Sequence, residues 1–391
     1  MICAWGMICE MKIPLHKPWW GKVAERVVVQ AMRHGSGTAD GPYSAQMREK
    51  LQKITGARFA LPVTNCTHAM EIATYCLGVK PGDEVIVPSF TLASTATAVM
   101  RSGGTPVFAD IDPKTYCLDP DDVERMITKK TVGIITVHYA GMAGQGFDAL
   151  LRIAKKHKLW LVEDAAHCIG SDYKGKCLGT YGDAGAYSFH GTKNVACGEG
   201  GAVVTNNSAL SDKMEVFRAI GTDRQAFLQG KVSIYQWVGE GSSYFLSDIF
   251  AALTNVQLDQ IIKINKDRQY IATQYTKAFK KFSTFVQLPY APIGMTKPNW
   301  HIYALKFQSV EQRKVFVQMM RKKGIEVSTH YVPLHTAPMG IKMVKKVRSL
   351  PVTDEVASTL VRMPIYAGMS KKELHYVITT TVKIFQSMVT L

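Results

Sequence analysis

The sequence predicts an α/β fold: a mostly parallel sheet sandwiched by helices, followed by a smaller C-terminal α+β domain. Three observations carry this. Short, almost unbroken apolar runs recur between residue 59 and about 207; helix-length patterns separate several of them; and the 391 residues are 47% hydrophobic and 20% charged. That is more chain than one typical domain needs, with enough apolar surface to bury a large core. The runs Phe59–Val63, Glu84–Pro88, Pro106–Ile111, Val132–His138, Leu159–Glu163, Ala184–Phe189 and Ala202–Asn206 read as strands. Strands this uniformly apolar are buried on both faces, which requires helices above and below the sheet. His68–Leu77, Leu92–Arg101, Pro120–Ile127 and Phe147–His157 supply them. A long helical pattern then runs from Ser247 to about Phe282. Strand Ile302–Phe307, helix Val310–Lys323, strand Ile325–His330 and closing helix Lys371–Met388 follow. We divide the chain inside the long helix, into a large domain 1–255 and a small domain 256–391.

Composition narrows the function classes. No apolar run reaches the roughly eighteen residues that a membrane-spanning helix needs. Residues 1–10 are apolar but lack leading Lys or Arg and a small-residue cleavage site, so they read as an extension outside the fold of a cytoplasmic protein. The eight cysteines are scattered, with no Cys-x-x-Cys pair and no His at zinc spacing, so free thiols are expected rather than disulfides or a structural metal. The net charge of +16 is uneven: residues 256–391 hold 21 Lys plus Arg against 7 Asp plus Glu, and residues 1–255 hold 26 against 24. Clusters such as Arg321-Lys322-Lys323 and Lys342, Lys345, Lys346, Arg348 suit a phosphorylated metabolite, a nucleic acid or a membrane surface, or are simply a solvated face. No helix-turn-helix, zinc-finger or aromatic-basic pattern accompanies them. Neither nucleic-acid binding nor membrane insertion is expected.

Open α/β sheets bind ligands outside the carboxyl ends of their strands, so the residues that follow each strand carry the chemistry. Strand Leu159–Glu163 ends in Asp164-Ala165-Ala166-His167. An aspartate there serves as a helix cap, a metal ligand or the partner of a protonated ring nitrogen. After Ala184–Phe189 comes His190-Gly191-Thr192-Lys193-Asn194, then Gly198-Glu199-Gly200-Gly201. This turn can aim the Lys193 amine into a cavity instead of into water. Thr64-Asn65-Cys66-Thr67-His68 joins the first strand to the first helix of the sheet, where unpaired N–H groups and the helix dipole bind phosphate. Ser89-Phe90-Thr91 brings an aromatic ring to the same edge; Phe90 is either core or the cover of a flat cofactor. A phosphate nest, a ring to stack on, a carboxylate for a pyridinium nitrogen and a lysine for a covalent link are together what pyridoxal 5′-phosphate requires.

The stretches Pro81 to Phe90, Val162 to His167, Ser188 to Asn194, Glu199-Gly200-Gly201 and His330-Tyr331-Val332-Pro333-Leu334-His335 resemble the DegT/DnrJ/EryC1/StrS sugar aminotransferases. The resemblance covers the chain from about Met11 onward. It implies the fold type I architecture of enzymes dependent on pyridoxal phosphate, and the amination of keto-sugars carried on nucleoside diphosphates. Gly221 to Arg224, Tyr235 to Trp237 and Gly241 to Tyr244 look most like the branch that acts on dTDP-4-keto-6-deoxyglucose. By this resemblance Lys193 binds the cofactor covalently and shuttles a proton, and Asp164 holds the pyridine nitrogen protonated. His167 contacts the 3′-oxygen side of the ring; Cys66, Thr67 and Ser188 hold the phosphate; Phe90 stacks on the ring. Relatives share each site across a homodimer, so segment 221–244 would reach the neighbouring site. Where many relatives supply an Asn from it this chain has Phe245, so Ser242 or Ser243 substitutes or the contact is absent.

The implied reaction is ping-pong, with L-glutamate converting the cofactor to pyridoxamine 5′-phosphate before the sugar ketone takes the amine. Such chemistry serves lipopolysaccharide or polysaccharide biosynthesis. His330 and His335, around Pro333, are either structural or near the sugar, and His138 divides the same way. A pair five residues apart around a proline is poor metal geometry. A dehydratase branch of the same fold carries His where this chain has Lys193, which favours transamination. A basic nucleic-acid-binding protein without catalysis is the rival from another class.

Overall fold

The computed structural model describes residues 11–33, 38–343 and 347–389; the expectation for residues 1–10, and the basic Lys345 and Lys346, lie outside them. The large sheet has seven strands: β1 (Phe59–Val63), β2 (Glu84–Pro88), β3 (Thr105–Ala109), β4 (Thr131–Val137), β5 (Trp160–Asp164), β6 (Ala184–Ser188) and β7 (Gly201–Thr205). Their order is β1-β7-β6-β5-β4-β2-β3. The pairs β6/β5, β5/β4, β4/β2 and β2/β3 are parallel, whereas β7 is antiparallel to both β1 and β6. Six strands therefore end at one edge, and the reversed β7 begins there.

Successive residues alternate between two cores, as the pleat requires. Ile134 and Leu161 face one side with Phe147, Leu150 and Ile153 of helix Phe147–Lys156; Ile135 and Val162 face the other with helices α1 (Cys66–Cys76) and α2 (Ala93–Arg101). Each fully buried aliphatic side chain here contributes about 1.5–3 kcal/mol.

The long helix expected from Ser247 to Phe282 is two: α3 (Asp248–Asp259) and α4 (Ile261–Phe279), meeting at Gln260. A smaller antiparallel sheet, β8 (Val286–Gln287), β9 (Tyr303–Phe307) and β10 (Leu360–Met363), packs with helices Val310–Lys322 and Lys371–Val389 around a third core. The strand expected at Ile325–His330 does not form. That segment makes only isolated bridges, Ile325 with Ile13 and Ser328 with Arg362, and the sheet position is taken by β10.

Beneath the strand ends lies a buried polar joint. Glu163 on β5 accepts the N–H groups of Gly179 and Gly182, both at 2.7 Å, and that of Tyr181, and pairs with His138 Nε2 at 2.8 Å. His138 is buried and stands outside the cavity described below, so it is structural. Glu163→Ala would leave those donors enclosed and unpaired, and is expected to cost about 3 kcal/mol or more in denaturant unfolding; a loss under about 1 kcal/mol would contradict the joint's role.

Candidate functional site

The strand edge and the small sheet enclose a cavity of about 600 Å³ whose wall includes Cys66, Thr67, Asp164, His167, Ser188, Lys193 and His330. These seven expected residues, from four separate stretches of sequence, converge on one space. At one end is the N-terminus of α1. Asn65 caps it, its side chain accepting the His68 N–H at 2.9 Å, while its carbonyl accepts the Ala69 N–H. The N–H groups of Cys66 and Thr67, which have no helical acceptor, are thereby left to the cavity. Gly201, at the start of β7, makes this close approach possible. A Cβ there would sit 2.6 Å from the Asn65 carbonyl oxygen and from the Cys66 nitrogen. Burial pushes the Cys66 thiol well up, so it lines the nest as a neutral group. Ser188, the last residue of β6, adds a buried hydroxyl.

Asp164 closes β5 and is buried. Thr95 on α2 donates its hydroxyl to Oδ2 at 3.0 Å, and the Ala166 N–H donates to Oδ1 at 3.2 Å. Burial nevertheless raises its pKa, with those two bonds and the charge of Lys193 opposing. Lys193 sits on the turn between β6 and β7, where its N–H bonds the His190 carbonyl at 2.9 Å. Burial lowers the pKa of its amine, against the opposing pull of Cys66 and Asp164. His167 lies tilted on His301, with ring centroids 4.4 Å apart, and burial keeps it neutral. Its Nδ1 is enclosed without a partner. His330 stacks on Tyr331 at 3.9 Å, and burial, with Arg362 and Lys193 adding, depresses its pKa to about 2.

Three expected residues stand elsewhere. Phe90 is wholly buried beneath the wall, packed against Tyr139 and Tyr331 at 5.4 Å each, so it cannot cover a ring in the cavity. The apolar side chain of that loop which does face the space is Leu92, 59% exposed. His335 is buried outside the wall. Its N–H donates to Ser89 Oγ at 3.0 Å and its Nδ1 bonds the same hydroxyl at 2.7 Å, pinning the small domain to the end of β2. Ser243 is exposed and bridges Ala219, away from the cavity of its own chain. Phe245 lies under Arg218, whose guanidinium carbon is 4.6 Å from the ring centroid.

Sequence reasoning missed Thr95, His301, Arg268 and Arg362. All but Thr95 line the cavity. Asn194, beside Lys193, bonds His301 Nδ1 through Oδ1 at 2.9 Å and the Asn299 carbonyl through Nδ2 at 3.1 Å, tying the lysine's turn to the small domain. Between them Trp300 holds a left-handed φ of 49°, an unfavourable geometry for a non-glycine residue.

Residues 21–382 match the model of the DegT/DnrJ/EryC1/StrS aminotransferase family, and the chain belongs to that family. It is 32% identical over 374 residues to the spore coat polysaccharide biosynthesis protein SpsC of Bacillus subtilis, covering 94% of this chain and 95% of that one. It is 31% identical over 386 residues to an uncharacterized protein of Methanocaldococcus jannaschii, covering 97% and 99%. Among solved structures, a Streptococcus pneumoniae chain assigned as a sugar aminotransferase superposes with a TM-score of 0.89 at 25% identity over 97% of this chain and 99% of that one, and is known in PLP and PMP forms. Helicobacter pylori PseC, an aminotransferase of pseudoaminic acid biosynthesis, shares the fold with a TM-score of 0.89 at 24% identity, over 96% and 100% of the two chains. The protein is thus a pyridoxal-phosphate-dependent aminotransferase of fold type I, from a family that aminates sugars.

The cavity suits that cofactor. It offers an anion nest at a helix end, a buried carboxylate, an amine of lowered basicity and an unpartnered ring nitrogen on His167. Gly201→Ala is expected to push the α1 N-terminus out of place and weaken pyridoxal phosphate binding at least about tenfold, or about 1.4 kcal/mol, in a fluorescence titration; unchanged affinity would contradict the nest. Because the folded chain disfavours the Lys193 ammonium, the unfolded chain holds more protons between the lowered value and the ordinary 10.5, and stability rises with pH across that interval. Lys193→Met is therefore expected to raise the melting temperature of the cofactor-free protein at pH 7, by a margin that shrinks as pH nears 10.5. A loss at neutral pH would contradict it.

Proposed function

We propose that this chain transfers an amine from L-glutamate to a nucleotide-linked 4-keto-6-deoxy sugar, with dTDP-4-keto-6-deoxyglucose as the expected acceptor. The products are 2-oxoglutarate and a 4-amino-4,6-dideoxy sugar nucleotide. One observation carries the reading: Lys193, Asp164 and the N-terminus of α1 face a single cavity. The 4-keto acceptor is supported by the resemblance of segment 221–244 to the branch that acts on it. The role of SpsC in polysaccharide biosynthesis and of PseC in pseudoaminic acid biosynthesis supports a sugar substrate, one made in the cytoplasm for a polysaccharide.

Pyridoxal 5′-phosphate, when bound, supplies an electron sink for the carbon that gives or takes the amine. The chain's residues do the rest. Lys193 would hold the cofactor, and its amine, whose basicity burial lowers, would move a proton at that carbon. Asp164, fixed by Thr95 and Ala166, gives the ring nitrogen the counter-charge that keeps it protonated. The Cys66 and Thr67 amides and the Ser188 hydroxyl would hold the phosphate, His167 would bond an oxygen of the cofactor, and His330 would contact the sugar.

The working unit in this reading is a homodimer with shared sites. Segment 220–238 carries Trp237 at 81% and Ile234 at 65% exposure, apolar surface that a second copy covers, and Ser243 beside it then acts in the neighbouring site. The domains remain divided near residue 255, since the small-domain core draws chiefly on residues 271–385.

Incubation with L-glutamate and a panel of nucleotide-linked 3-keto and 4-keto-6-deoxy sugars, with products identified by mass and NMR, tests the reading. The 4-amino product is expected from the dTDP-linked 4-keto sugar; amination only at C3, or dehydration, would overturn it. Lys193→Ala is expected to lower turnover by about 10³-fold or more.

A further inference from the structure

The basic residues of the small domain are a feature that the reaction leaves unused. Two helices carry many of them: α5 (Val310–Lys322) and α6 (Lys371–Val389). They lie side by side and antiparallel, with the Tyr376 hydroxyl of α6 donating to the Lys323 carbonyl just past α5 at 2.9 Å and Phe385 stacked on Phe316 at 5.4 Å. Their apolar faces cover one side of the small sheet. Tyr303, Leu305, Phe307 and Val361 point into that core, whereas Ala304 and Leu360 pack toward Phe90 and Arg362 lines the cavity. A pleated strand puts alternate residues on opposite faces, so the outer face of the helix pair is turned away from the cavity.

Arg313, Lys314, Val317, Gln318, Arg321 and Lys322 border one open hollow of about 470 Å³ on α5, with no acid among them. Lys371, Lys372 and Lys383 are exposed on α6. Each helix holds a single glutamate, Glu311 or Glu373, in its first turn, where the helix dipole favours it. Glu326, beyond α5, is turned to the Leu15 N–H at 3.0 Å. Among the described residues none of these cations forms an ion pair. The dipole rewards Arg321 and Lys322 at the end of α5 but not Arg313 and Lys314 near its start, so helix stability accounts for only half of the stripe.

We propose that the outer face of α5 and α6 docks on the anionic headgroups of a lipid membrane, to which the protein adsorbs without inserting. Shape separates the candidate anions. A small phosphorylated metabolite needs enclosed donors, and of these cations only Arg313, which donates Nε to the Ser358 carbonyl at 3.0 Å, is even half-buried. The major groove of DNA, about 12 Å wide, admits one helix and not two abreast. A single nucleic-acid strand is gripped by aromatic rings between cations, and here Val317 and Gln318 stand between them. A plane of headgroups suits a face two helices wide with a stripe about 14 Å long on α5. Lysine and arginine stems lie along such a surface while their charges reach the phosphates, and Val315, 41% exposed, adds apolar contact. Docked in this way the protein keeps its cavity on the side away from the lipid. The proposal does not depend on which sugar the cavity accepts.

Co-sedimentation of the full chain, loaded with pyridoxal 5′-phosphate, with phosphatidylcholine vesicles containing about 30% phosphatidylglycerol tests this. At low salt, partitioning is expected to exceed that onto pure phosphatidylcholine at least about tenfold, and to fall steeply as salt is raised. Each cation near the surface adds about fivefold, so Arg321→Glu combined with Lys322→Glu is expected to lose at least about tenfold. The same charge change at Lys129 and Lys130, exposed on the large domain, should stay within about threefold of wild type. Conversion of the cofactor by glutamate should be unchanged in both, since neither pair borders the cavity. Arg321→Gln with Lys322→Gln is read by the same criteria if the reversed pair does not fold. No sedimentation with anionic vesicles, equal binding to neutral ones, an equal loss from the Lys129 and Lys130 pair, or release from the vesicles by a DNA duplex at equal phosphate concentration would overturn the proposal.

Discussion

A carboxylate buried at the end of a central strand, with two hydrogen bonds and no ion pair among the described residues, sets the terms for the rest of this molecule. Asp164 is held by Thr95 and Ala166, yet burial still pushes its pKa upward. A cation presented from the cavity would complete it, as the protonated ring nitrogen of pyridoxal 5′-phosphate would, and the amine of Lys193, its basicity lowered by the same burial, lines the same cavity. Burial at one cavity wall therefore raises the pKa of the acid and lowers that of the base.

The fold delivers these groups because its parallel strands all end at one edge. Asp164 and Ser188 close neighbouring strands, Lys193 follows on the turn, and the reversed β7 returns Gly201 to the same edge, where its missing side chain lets α1 approach. The small domain supplies the opposite wall through loop 299–302 and β10. Asn194 ties that loop to the large domain and Arg268 of α4 binds its Trp300 and His301 carbonyls, so Trp300, in its left-handed conformation, is held from both sides. Charge is thus arranged at two ends of one space: backbone amides on one side and guanidinium groups on the other.

Much of this was legible in the sequence, for physical reasons. The seven strands lie within two residues of the apolar runs, since burial on both faces leaves an unambiguous signature. Cys66, Thr67, Asp164, His167, Ser188, Lys193 and His330 converge because strand ends are where such sheets gather ligands. Phe90 and His335 were misread because a residue's place next to a site does not say which way it turns; one packs into the aromatic core and the other binds Ser89. Arg362 did leave a signal, a lone charge within Leu360-Val361-Arg362-Met363-Pro364-Ile365. Arg268 and Thr95 left none, because their partners lie far away in sequence and only tertiary packing joins them.

The central claim is that one lysine, at position 193, carries the cofactor opposite Asp164. Borohydride reduction of the protein loaded with pyridoxal 5′-phosphate, followed by digestion and mass spectrometry, reads this directly. A single phosphopyridoxyl group on the peptide containing Lys193 is the expected result. A group fixed on another lysine, with Lys193 unmodified, would contradict it.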